Sequence, residues 1–344
     1  MNKESTYNIV AAMNGSTVAT EYIVKYSSEQ KYQSEAELEA EFIRQLGRQG
    51  YEYLEIHEEK HLVDNLRDKL EKLNGYKFSE KEWDTFFRIV LANPNEGIVE
   101  KTRKLQEGGS QHVLTRDDGS FINIRLIDKK NIHNNILQVI NQYKVSAEEG
   151  AKHDNRYDVT VLVNGLPLVH IELKRRGVPI REAFNQIKRY QRDSFWAGSG
   201  LFEFVQIFVI SNGTHTKYYS NTTRNSHIKE QTAVRNKTKK TSNSFEFTSF
   251  WADSKNNIIA DLTDFTKTFF TKHVLLNILT KYCVFTTEEL LLVMRPYQIA
   301  ATEKILNKID IANNYKKYGS TVAGGYIAHT TGSGKTLTSF KTAQ

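Results

Sequence analysis

The segment Asp158-Val-Thr-Val-Leu-Val-Asn-Gly-Leu-Pro-Leu-Val-His-Ile-Glu172-Leu-Lys174 reads as a β-hairpin that carries two acids and a lysine at its open end. Val159, Val161 and Val163 alternate with Asp158, Thr160 and Leu162, so the acid and the valines face opposite ways. On the return strand Leu168, His170, Glu172 and Lys174 share one face. Asn164-Gly165 is the sequence of a two-residue type I′ turn. Strict pairing around such a turn sets Asp158 opposite Ile171 and leaves Glu172 on the wrong face. One extra residue corrects the phase, as a three-residue loop Asn164-Gly165-Leu166 or as a bulge. We therefore expect something other than a plain two-residue turn, with Asp158 opposite Glu172.

Two carboxylates beside a lysine suit metal-dependent hydrolysis of a phosphodiester. The acids hold Mg²⁺, which lowers the pKa of a water and neutralises phosphate charge. The lysine orients that water or stabilises the charge that builds up. E-x-K alone carries little weight, because any half-buried hairpin can show an exposed ion pair. Its context adds weight. The strand is apolar up to Glu172, and Asp158 has the matching position on its neighbour. After Gly177-Val-Pro179 comes an amphipathic helix over 180–190, with Gln186 and Tyr190 four apart on one face. His170 reads as a packed strand residue rather than a ligand.

Asp158, Glu172-x-Lys174 and Gln186-x-x-x-Tyr190 resemble the PD-(D/E)-x-K nucleases that carry an added Q-x-x-x-Y helix. The stretch from His153-Asp-Asn-Arg-Tyr-Asp158 through Arg181-Glu-Ala-Phe-Asn-Gln186 is similar to the endonuclease domain of the restriction (motor) subunit of type I restriction-modification enzymes. That similarity runs from about Glu35 to the C-terminus. Tyr157 stands where the nominal pattern has proline. The resemblance implies Mg²⁺-dependent DNA cleavage by Asp158, Glu172 and Lys174, with the Leu173 carbonyl as a further metal donor. It implies that Gln186 and Tyr190 support the site or touch the DNA backbone. It also implies double-stranded DNA and a methyltransferase core of specificity and modification subunits as partners. Such nucleases often add an acid from a first helix. Here that helix follows Ser34, which forms a capping box with Glu37, and Glu39 is the candidate metal ligand with Glu37 behind it. A DNA repair nuclease–helicase and a non-cleaving DNA-binding remnant fused to a motor are the alternatives.

A second site is His329-Thr-Thr-Gly332-Ser333-Gly334-Lys335-Thr336. A glycine-rich turn opening a helix presents backbone N–H groups to phosphate. Lys335 would reach the β- and γ-phosphates of ATP, and the Thr336 hydroxyl would bind Mg²⁺. His329 stands where the strict phosphate-binding loop has glycine, a position that superfamily 2 helicase-like motors relax. Upstream, Arg295-Pro-Tyr297-Gln298 resembles their adenine-reading element, with Gln298 on the base edge. No acidic Walker B segment or second lobe follows before Gln344, so ATP hydrolysis and translocation are expected only of a longer protein.

The expected fold is α/β. A mixed-sheet nuclease domain with an N-terminal helical region spans 1–255, and the beginning of a RecA-like motor domain spans 256–344. Helices are expected over 62–73, 80–91 and 129–142, strands over 122–127, 202–210, 216–219 and 326–328, and helical patterning over 251–279. Residues 220–243, with Arg235, Lys237, Lys239 and Lys240, read as a surface loop. The net charge of +7 favours an anionic partner. A single cysteine, Cys283, and the lack of a signal-peptide pattern suit the cytoplasm, and no stretch is apolar enough to span a membrane.

Overall fold

The computed structural model describes residues 7–9, 18, 20–22, 33–222 and 243–344. The basic segment with Arg235, Lys237, Lys239 and Lys240 lies outside them. One eight-stranded sheet organises the chain, and its strand order is the chain order. The strands are β1 (Glu52–Tyr53), β2 (Leu137–Val145), β3 (Asn155–Val163), β4 (Leu166–Leu173), β5 (Ile207–Ser211), β6 (Thr216–Ser220), β7 (Ser249–Ala252) and β8 (Ile258–Ile259). β1–β2 and β4–β5 are parallel and the other neighbours antiparallel, so the sheet is mixed, as expected. A parallel pair needs a crossover, and the helix between β4 and β5 supplies it.

The longer helices are α1 (Glu35–Arg48), α2 (Glu59–Asn74), α3 (Glu80–Phe86), α4 (Ile98–Gln106), α5 (Arg181–Asp193), α6 (Leu262–Phe269), α7 (Lys272–Thr280), α8 (Pro296–Asn314) and α9 (Lys335–Ala343). α1 begins as its sequence dictates. The Ser34 hydroxyl accepts from Glu37 N at 3.2 Å, and the Glu37 carboxylate accepts from Ser34 N at 2.9 Å. Leu38, Phe42 and Leu46 bury its apolar stripe. α3 starts at the expected residue and runs on to Leu91 as a π-helical turn, Phe87–Leu91. α6 packs on the sheet domain through Phe42 and Phe270, 5.3 Å between ring centroids, and through Tyr51, whose hydroxyl donates to Phe270 O at 2.7 Å.

Four expectations differ from what is observed. Residues 129–142 were expected as a helix, but the chain makes a short 3-10 turn, Ile132–Asn134, and then strand β2. Leu137 to Ile140 are all buried, Gln138 included, so polarity along this strand does not follow a strict alternation that would separate it from a helix. The strand expected over 202–210 starts only at Ile207, after a 3-10 turn at Leu201–Phe204. Helical patterning over 251–279 begins only at Leu262, because β7 and β8 occupy the first part. Tyr326 to Ala328 forms no strand and has no strand neighbour among the described residues.

The hairpin departs from expectation in an instructive way. Asn164 and Gly165 have φ of 52° and 84°, and Val163 pairs with Leu166. This is a plain two-residue turn of the kind Asn-Gly favours, not a three-residue loop. The extra residue sits in the strand instead. Val161 pairs with Val169 but Leu162 pairs with Pro167, which leaves Leu168 as a bulge. Pro167 has no N–H for the ladder, and proline inside a sheet is tolerated at such a bulge. The turn is locked by its surroundings. The buried Asn164 amide accepts from Ile136 N at 2.9 Å and donates to Leu126 O at 3.0 Å and Asn135 Oδ1 at 2.8 Å. A Cβ on Gly165 would lie 2.5 Å from Leu66 Cα on α2. Gly165→Ala should therefore lose about 2 kcal/mol or more in chemical denaturation, from the left-handed φ and the backbone clash together. Wild-type stability in that variant would show that α2 does not press on the turn.

Candidate active site

The bulge sets the pairing register between β3 and β4. The paired register ends at Val159 and Ile171, and carried one step outward it sets Asp158 across from Glu172. Asp158 Oδ2 accepts from Leu173 N at 2.9 Å, which pins one acid oxygen to the partner strand. Glu172 is fully buried, and Asp158 is half-buried. Lys174 Nζ lies 3.4 Å from Glu172 Oε1. Its backbone N donates to Ser211 O of β5 at 2.8 Å, so the parallel crossover strand fixes the lysine's place. The three residues of the expected triad are thus brought together.

Burial raises both acids. The Glu172 carboxyl rises from an ordinary 4.5 to about 8, mainly through loss of solvent, and Lys174 offsets only part of this. Asp158 rises from 3.8 to about 7, through loss of solvent and then repulsion from Glu172. Two carboxyls this close share protons as a unit. Glu172 Oε2 has no hydrogen-bond partner. An orphaned buried oxygen beside a second carboxylate fits a hard divalent cation, which completes its shell with one or two carboxylates and water. Among the described residues no three His, Cys, Asp or Glu side chains form a full metal-binding group.

Helix α1 contributes differently from expectation. Glu37 is used up in the cap. Glu39 lies near enough to Asp158 to repel it, yet both its oxygens are engaged, by Asn141 Nδ2 at 2.6 Å and Gln142 Nε2 at 2.5 Å. Gln142 falls across from Asp158 on β2 and has a left-handed φ of 52°, a strained place for a non-glycine residue in a strand. The acid that reaches the E-x-K strand is Glu35, which sequence reasoning missed. Its Oε1 accepts from Arg175 N at 3.2 Å, and its Oε2 lies 4.0 Å from Lys174 Nζ. Its place in the first turn of α1, rather than any motif, brings it there.

Gln186 and Tyr190 do meet on one face of α5, with Gln186 Nε2 donating to Tyr190 Oη at 2.5 Å. Tyr190 is buried, and its hydroxyl donates to Arg156 O at 2.8 Å, two residues before Asp158. The pair therefore ties α5 to β3. Arg175, just past the E-x-K strand, and Arg181, Lys188 and Arg189 of α5 are exposed.

The glycine-rich loop lies at the start of α9. Gly332 and Gly334 have φ of 78° and 80°. Ser333 O accepts from Tyr297 Oη at 2.7 Å and from Gln298 Nε2 at 2.9 Å. Gln298 Oε1 also accepts from Arg295 N at 2.8 Å, capping α8. Gln298 thus holds the loop, with a second amide hydrogen left over. The left-handed φ of Gly334 disfavours any side chain there, and a Cβ would also meet that amide. Lys335 and Thr336 are exposed at the first turn of α9.

The sequence between residues 32 and 227 matches the family model described as type I restriction enzyme R protein N terminus, more than half of the chain. The chain belongs to that family. Residues 291–344 match a second model, type III restriction enzyme, res subunit. The type I restriction enzyme EcoprrI endonuclease subunit of Escherichia coli is 49% identical over 301 residues, covering 87% of this chain and 90% of that relative. The SsaAORF53P endonuclease subunit of Staphylococcus saprophyticus is 39% identical over 319 residues, covering 91% of this chain but 30% of the relative. The SauCOLORF180P subunit of Staphylococcus aureus is 40% identical over the same share of each. The chain therefore spans less than a third of the staphylococcal relatives. No helix among the described residues is long and apolar enough to cross a membrane.

The raised acids make stability depend on pH. Above the ordinary carboxyl range the unfolded chain ionises Asp158 and Glu172 while the folded chain keeps them protonated, so the unfolded state binds fewer protons and stability falls. In a chelator, the melting temperature should fall as pH rises from about 4.5 to about 8. Glu172→Gln should flatten that slope. An unchanged slope would show that the pair is not held protonated.

Proposed function

We propose that this chain is the nuclease portion of a type I restriction enzyme's R subunit, cutting double-stranded DNA with Mg²⁺. The observation that carries this reading is the bulge-set register that puts Asp158 opposite Glu172, with Lys174 two residues on. We read 1–255 as the nuclease domain and 256–344 as the start of a RecA-like motor, with α6 and α7 as the connection packed back on α1. The names of the relatives, all endonuclease subunits of type I restriction enzymes, support the same assignment.

Asp158 and Glu172 would hold the cation, with the Leu173 carbonyl beside them, and Glu39 would add its negative charge from α1. The cation, when bound, would supply charge neutralisation at the phosphate and a water of lowered pKa. Asp158 and Glu172 would hold it as ionised carboxylates. Lys174 then faces the reacting phosphate from the Glu172 side and orients the attacking water. Gln186 and Tyr190 hold Asp158 in place through the Arg156 carbonyl, and the exposed arginines and Lys188 meet the DNA backbone. ATP would lie on the backbone N–H groups of Gly332, Ser333 and Gly334, with Lys335 and Thr336 on its phosphates and Mg²⁺, and Gln298 turned to the base. Specificity and modification subunits would read the DNA sequence. Cutting would follow translocation by the full-length subunit.

In the full-length assembly, Asp158→Ala, Glu172→Ala and Lys174→Ala should each reduce DNA cleavage at least a hundredfold while ATPase persists. Cleavage at the wild-type rate in any of the three overturns the assignment. Lys335→Ala should remove ATPase, and with it the cleavage that depends on translocation. Both rates are read from one plasmid-cleavage reaction coupled to phosphate release.

A further inference from the structure

The most unusual group beside the acid pair is His170. It lies two residues before Glu172 on β4 and is fully buried. Thr160 is its partner across the ladder, with Oγ1 3.1 Å from His170 Nδ1. The rings of Tyr157, Phe195, Tyr190 and Phe208 stand edge-on to it at 5.6, 5.6, 6.0 and 6.3 Å. Its other nitrogen, Nε2, has no hydrogen-bond partner and lies 3.5 Å from Glu172 Oε2, which has none either. A buried polar atom left unpaired destabilises the fold. An apolar side chain would fill this aromatic pocket without that penalty, so packing alone does not account for an imidazole here.

Donor and acceptor rules set the direction of the contact. On an imidazole that carries one hydrogen, the nitrogen facing a donor accepts and the other carries the hydrogen. The Thr160 hydroxyl can turn to donate to Nδ1, which places the ring hydrogen on Nε2. That puts it on the nitrogen that lies 3.5 Å from Glu172 Oε2. An ionised carboxylate only accepts, and Lys174 already faces Oε1. Glu172 is then held from both sides, with lone pairs left for a cation. We propose that His170, kept in its Nε2–H form by Thr160, is a positioning residue that fixes the Glu172 carboxylate for divalent-ion binding. This inference rests on the reading of Asp158 and Glu172 as the cation site.

The test is Mn²⁺ binding to the whole chain without DNA, followed by the electron paramagnetic resonance of free Mn²⁺, with thermal melting in a chelator alongside. His170→Leu should weaken Mn²⁺ binding about tenfold or more, the range found for outer partners of metal ligands. His170→Gln, whose terminal amide returns an N–H close to the Nε2 position, should recover most of it. Thr160→Val should give a smaller loss in the same direction. Tight binding that survives in His170→Leu, while Glu172→Gln abolishes it, overturns the role of His170 and leaves the cation site standing. His170→Gln as weak as His170→Leu overturns the N–H role. Wild-type binding that Glu172→Gln does not affect overturns the cation site and this inference together. Should His170→Leu not fold, Thr160→Val decides, and a wild-type dissociation constant in it overturns the inference.

Discussion

Two carboxylates pressed together inside a sheet repel one another and lose their water. That pair, Asp158 and Glu172, is an arrangement that the surrounding packing opposes. Apolar strands on both sides hold it closed, since every residue of β4 is buried. A backbone N–H, a lysine and an imidazole are the polar groups ranged around it. Such an arrangement is stable without metal only while protons stay on the acids. It is also one that a divalent ion converts from repulsive to attractive. The same physics that makes the pair costly to the fold makes it useful to a hydrolase.

Everything near the pair acts to keep it in register. α1 reaches across with Glu35 on the Arg175 amide and Glu39 on Asn141 and Gln142. α5 reaches from the other direction, with the Tyr190 hydroxyl on the Arg156 carbonyl. β5 holds Lys174 through Ser211. Three elements therefore converge on the open end of the hairpin. The loop at Gly332–Thr336 is organised differently. Its geometry comes from two glycines with positive φ and from side chains of α8 that grip Ser333 O.

What the sequence disclosed was local chemistry. The Ser34–Glu37 cap, the Gln186/Tyr190 face, the Asn-Gly turn and the glycine loop each depend on residues within a few positions of one another. What it concealed depended on distant partners. β2 looked helical because Leu137 to Ile140 are buried on both sides, and burial by neighbours leaves no trace in periodicity. Glu39 does come near Asp158 from α1, but Asn141 and Gln142 take up its oxygens, and the contact of Glu35 with the Arg175 amide followed from helix orientation rather than from any motif. The opposed face of the hairpin was recoverable in part: the need for one extra residue was legible, and Pro167 marked where it went. Of the two places open to it, a longer turn and a bulge, the strand took it, because Asn164 and Gly165 strongly prefer a two-residue turn.

The bulge at Leu168 also changes how this hairpin can be compared with another. Counting outward from the turn gives the right partners only as far as Leu162 and Pro167. Beyond that point the sum of partner numbers rises by one, from 329 to 330, and stays there through Val159 and Ile171. An alignment that closes a one-residue gap between the turn and Val169 would superpose Glu172 on a neighbour that faces the other way. The acid's position is inherited with the bulge, so a lone insertion or deletion there is a change of face rather than of length.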